Sequence, residues 1–194
     1  MGSDLNRVGD LEVRIVDKIT QVTAEVLLGR LLNLPPIAFH AEKDQLFQLC
    51  WETDDLDSSE KDLILVRNPD SSGKQLKIIK VIFNNYDSVN SLANFRIYTA
   101  PSITSNGSSL TVYPCREGAS LPSSVVNAYY EPTISSRGKK RYSGSTSGGA
   151  LSSNALVIPI DNGLIIDPGY DLLITGQADG TNRDVSITLL WGEE

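Results

Sequence analysis

From Ile37 onward the chain repeatedly alternates apolar with polar positions at a period of two. That is the mark of half-buried strands, whose successive side chains point to opposite faces of a sheet. Phe47, Leu49 and Trp51 alternate with Leu46, Gln48 and Cys50. Val185, Ile187, Leu189 and Trp191 share one face against Ser186 and Thr188. The runs 62–67 and 76–83, the second with Ile78 and Ile82 on its inward face, are joined by Asn68-Pro69 and Ser71-Ser72-Gly73, which predicts a hairpin. Asp179-Gly180 predicts a second hairpin turn, between 172–175 and 185–191. Further strands are expected at 94–99, 110–113, 125–130, 155–160, 163–166 and 170–175, and the Ser/Gly-rich stretch 143–149 reads as a flexible loop. Roughly ten short strands without a helical period predict an all-β, antiparallel, jelly-roll-like β-sandwich over residues 37–194.

Residues 1–36 follow a different pattern. Val8, Leu11, Ile15, Ile19, Val22 and Val26 recur at helical spacing, yet Leu11, Val13 and Ile15 also alternate as in a strand. Both conformations stay open. Leu31 and Leu34 continue the apolar content up to Pro35-Pro36, which ends any helix and begins an extended segment. This is an N-terminal arm whose Leu11, Val13, Ile15, Ile19, Val22, Val26, Leu31 and Leu34 need a partner surface, on their own body or on a neighbouring subunit.

One internal echo stands out at an offset of 31 residues. Tyr98, Pro101, Ile103, Ser105 and Gly107 match Tyr129, Pro132, Ile134, Ser136 and Gly138. Each copy reads as a strand ending at a Tyr, a Pro that stops further pairing, and a Gly-closed turn. Two equivalent strand-to-loop corners suit the related halves of a jelly roll.

Composition narrows the function. The chain has 194 residues, 40% hydrophobic and 21% charged, enough for a substantial core, with a net charge of −7. An acidic surface disfavours nucleic acid, whose binding needs clustered Lys and Arg. The one basic cluster, Arg137, Lys139, Lys140 and Arg141, reads as a solvated loop. No apolar run approaches the roughly 18 residues of a membrane span. Asp4, Arg7 and Asp10 disfavour a signal-peptide core, so synthesis and assembly are expected in a cytoplasm. Cys50 and Cys115 are expected to be free thiols, Cys50 buried and inert in its strand. His40 is the only histidine, too few for a catalytic triad or a zinc site. The acidic stretches 54–62 and 179–184 lack EF-hand spacing and read as loops. No cofactor and no enzymatic activity are expected.

Several features together form a pattern: Leu65-Val66-Arg67-Asn68-Pro69, the Tyr-x-x-Pro corners, Asp167-Pro168-Gly169-Tyr170-Asp171-Leu172-Leu173-Ile174, and the final run from Val185 to Glu194. Over residues 37–194 the chain resembles the jelly-roll decoration, or cement, proteins of tailed bacteriophages. The resemblance implies a structural protein on the capsid exterior, bound to the major capsid protein and associated with itself, commonly as a homotrimer. A receptor- or carbohydrate-binding module of a phage fibre or tail is the alternative; exposed tyrosines would favour it.

Overall fold

The computed structural model describes residues 45–87, 91–116, 118, 123–149 and 155–194, with the backbone alone at 159–162. It contains thirteen strands and one 3-10 turn among the described residues. Eight long strands make the body: β1 (Leu46–Leu56), β2 (Lys61–Arg67), β3 (Leu76–Asn85), β4 (Ser91–Thr99), β10 (Lys139–Gly148), β11 (Ala155–Ile166), β12 (Asp171–Ala178) and β13 (Arg183–Glu193). Five short strands lie between β4 and β10: β5 (Ser102–Ser105), β6 (Ser108–Leu110), β7 (Tyr113–Pro114), β8 (Asn127–Tyr130) and β9 (Thr133–Ser136).

The pairing defines a jelly roll. The first long strand pairs with the last (β1 with β13), β2 with β12, β3 with β11 and β4 with β10, all antiparallel. This is one long folded-back ribbon, rolled so that β13 also pairs with β3 and β12 with β4. The sheets that result have the orders β11-β3-β13-β1-β7 and β10-β4-β12-β2-β8-β6.

Rolling explains why two predicted hairpins are absent. β2 and β3 lie in different sheets, as do β12 and β13. The Asn68-Pro69 segment is a crossover between layers: the buried Asn68 side-chain amide donates to the Lys74 carbonyl at 2.8 Å and to the Ile166 carbonyl at 3.1 Å. A two-residue turn signal marks where the chain reverses, but sheet membership depends on pairing with strands far away in sequence.

The core lies between the sheets. Trp191, Phe47, Leu49, Ile187, Leu189 and Val185 fill one side, and Ile64, Val66, Ile97, Leu172 and Ile174 the other. Phe83 and Phe95 stack across the layers with centroids 4.3 Å apart. Buried Glu193 accepts from the Trp191 indole N–H at 3.2 Å, the Val125 backbone N–H at 3.1 Å and the Ser124 hydroxyl, which ties residues 124–125 to β13.

Several side chains depart from the sequence expectation. Ile82 is half-buried, while Val81 and Phe83 face the core. The cause is a bulge at Ile79: Lys80 pairs with Leu190 and Ile78 with Trp191, so the extra residue inverts the facing beyond it. Trp51 is likewise half-buried rather than buried. Cys50 is exposed, because its strand parity places it with Gln48 and Glu52 on the outer face. Cys115 is half-buried; both thiols are free, and burial pushes the Cys115 thiol above its ordinary value. Residues 143–148 belong to β10 instead of a loop, and Ser143 to Gly148 pair one by one with Arg96 to Ser91. Small residues suit that strand, since a Cβ on Gly144 would press on the Leu156 side chain.

Candidate functional site

The arm residues Leu11, Val13, Ile15, Ile19, Val22, Val26, Leu31 and Leu34, and His40, lie outside the described residues. Within the body, the insertion between β4 and β10 is the most distinctive feature, and it contains the internal echo. β4 is followed by Ala100, whose φ is 55°, and β8 by Glu131, whose φ is 51°. Both are left-handed conformations that side chains other than Gly rarely adopt. The Ala100 N–H donates to the Asp171 carbonyl and the Glu131 N–H to the Leu63 carbonyl, each at 3.0 Å. After each corner the chain continues as β5 and as β9, and the two pair antiparallel with Ile103 opposite Ile134.

The relation is a local two-fold. Ser108 pairs with Tyr130 as Lys139 pairs with Thr99, each residue shifted by the offset of the echo. In the middle, Leu65 pairs with Leu173, so the sheet order β10-β4-β12-β2-β8-β6 maps onto itself. The axis therefore passes between Leu65 and Leu173 and between Ile103 and Ile134. Leu65 and Leu173 are 0% exposed yet lie outside the central cluster. Strand parity turns them to the outer face. Ile103 and Ile134 are the half-buried residues of a ribbon otherwise exposed.

Beside the Glu131 corner lies a charged network. Glu60 accepts from the Thr175 hydroxyl at 2.6 Å and the Tyr98 hydroxyl at 3.1 Å, and it pairs with Arg137 at 3.2 Å and Arg96 at 3.4 Å. Arg137 also binds the Asp62 carboxylate at 2.7 Å. Arg137 is thus a half-buried strut between β9 and β2, not a solvated loop residue. Burial pushes the Glu60 carboxyl up, but the Thr175 hydrogen bond, the Arg137 charge, the Tyr98 hydrogen bond and the Arg96 charge outweigh it and hold the group below its ordinary value. Lys61 binds Asp55 at 2.7 Å and Asp57 at 3.2 Å. The acidic stretch 54–62 is therefore largely consumed in ion pairs.

A cleft of about 360 Å³ opens here, with Trp51 and Thr53 of β1, Asp55, Lys61, Glu131 and Pro132 on its walls. Trp51 lies against Tyr130, with ring centroids 6.0 Å apart. The cleft is not legible in the sequence, because β1 and β8, whose end leads into Glu131 and Pro132, belong to different sheets. The echo held one signal: where one corner carries Ala100, the other carries Glu131. Tyr86, Tyr113, Tyr142 and Tyr170 are exposed, whereas Tyr98, Tyr129 and Tyr130 are half-buried at the ends of β4 and β8.

No family model matches the chain, and no curated protein matches it. Among solved structures it is similar to the unassembled VP1 pentamer of KI polyomavirus, at 8% identity, over 78% of this chain and 95% of that one, with a TM-score of 0.36. It is also similar to the VP2 subviral particle of infectious bursal disease virus, at 9% identity, over 77% of this chain and 41% of that one, with a TM-score of 0.19. Likeness at this level carries no weight; the jelly-roll assignment rests on the strand order itself.

Proposed function

We propose that the chain is a structural virion protein that decorates and stabilises a bacteriophage capsid. The jelly-roll winding of its eight long strands carries this reading, together with the resemblance of residues 37–194 to phage cement proteins. Fold alone does not specify function. What the fold supplies is a two-layer β body that carries a separate two-stranded ribbon, β5–β9. The partners in this reading are the major capsid protein and further copies of the chain, as a homotrimer on the capsid exterior, with no catalysis. The apolar arm, Leu11 to Leu34, is the contact, because its Leu, Ile and Val side chains gain about 25 cal/mol for each Å² they bury.

Cosedimentation with tailed-phage capsids tests the proposal, using the full chain and a chain lacking residues 1–34. The full chain is expected to bind and to sediment as a trimer. The truncated chain is expected to keep its β-sheet circular dichroism and cooperative melt while losing association. A full chain that stays monomeric and leaves capsids undecorated refutes the reading. A truncated chain that aggregates or melts far lower assigns the arm to its own core.

A further inference from the structure

We draw no further inference here: the strongest candidate, the outer face of the β11-β3-β13-β1 sheet, where exposed Val157 and half-buried Ile82 and Leu190 form an apolar stretch, carries nothing because nothing in the structure shows what covers it.

Discussion

Three glycine substitutions separate backbone strain from close approach. Gly73, Gly107 and Gly138 all have left-handed φ, at 63°, 83° and 77°. A Cβ on Gly73 would meet nothing within 4 Å. A Cβ on Gly138 would overlap the carbonyl oxygens of Thr99 and Ala100, and one on Gly107 those of Tyr130 and Glu131. Each of these two glycines thus sits against the corner of the other repeat. Gly73→Ala should cost about 1 kcal/mol: roughly 1–2 for the left-handed conformation, less a few tenths regained from the stiffer unfolded chain. Gly138→Ala adds an overlap with backbone that cannot rotate away. Relieving it means lifting Lys139 off Thr99 and disturbing the adjoining Leu172 pairing. Overpacking of that kind costs about 1–3 kcal/mol more, for a total near 3 kcal/mol. In a chain of this size, 1 kcal/mol lowers Tm by about 2–4 °C. Thermal melts of the three variants should therefore drop by about 2–4 °C for Gly73→Ala and about 6–12 °C for both Gly107→Ala and Gly138→Ala. If all three melt together, the close approach of the two corners is wrong, and with it the local two-fold.

Ile187→Asp, at a position 0% exposed in the central cluster, should abolish the cooperative melt, because an unpaired buried charge costs several kcal/mol, on the order of total stability; an unchanged melting curve would show the core face misassigned. The Glu60 carboxyl titrates below its ordinary value in the folded chain, so its contribution is present above pH 4.5 and lost as pH falls through the folded pKa. Glu60→Gln should therefore lower Tm at pH 7 and converge with the parent in acid, and parallel Tm–pH curves would refute that. Asp171 is the opposite case: burial raises its carboxyl against the charge and hydrogen bond of Arg67, so its stabilisation belongs to low pH and fades as pH rises through the folded pKa. Asp171→Asn should leave Tm at pH 7 unchanged or higher, and a clear drop would count against this account. Exposed Cys50 should react with a thiol reagent at pH 8 well before half-buried Cys115, whose thiol is pushed up by burial; mass mapping of partial labelling reads the order directly.

Sequence alone determined those features that depend on local periodicity. The run Val185, Ile187, Leu189 and Trp191 alternates at a period of two, and all four are 0% exposed, because a strand with one face toward a core has no other way to bury them. The all-β class and the two equivalent Tyr-x-x-Pro corners were legible for the same reason, since propensity and turn chemistry act over a few residues. Tertiary structure alone decided which strands pair. Nothing in 62–83 or 172–191 states that consecutive strands belong to different layers; that depends on β2 meeting β12, and β3 meeting β11 and β13, across most of the chain. The bulge at Ile79 inverted the facing of Ile82, and the partner strand β4 drew the Ser/Gly run 143–148 into a sheet that its own propensity does not favour. The candidate cleft is tertiary for the same reason: Trp51 on β1 and Glu131 at the corner after β8 are far apart in sequence, and β1 and β8 belong to different sheets, so only the rolled ribbon brings them to one surface.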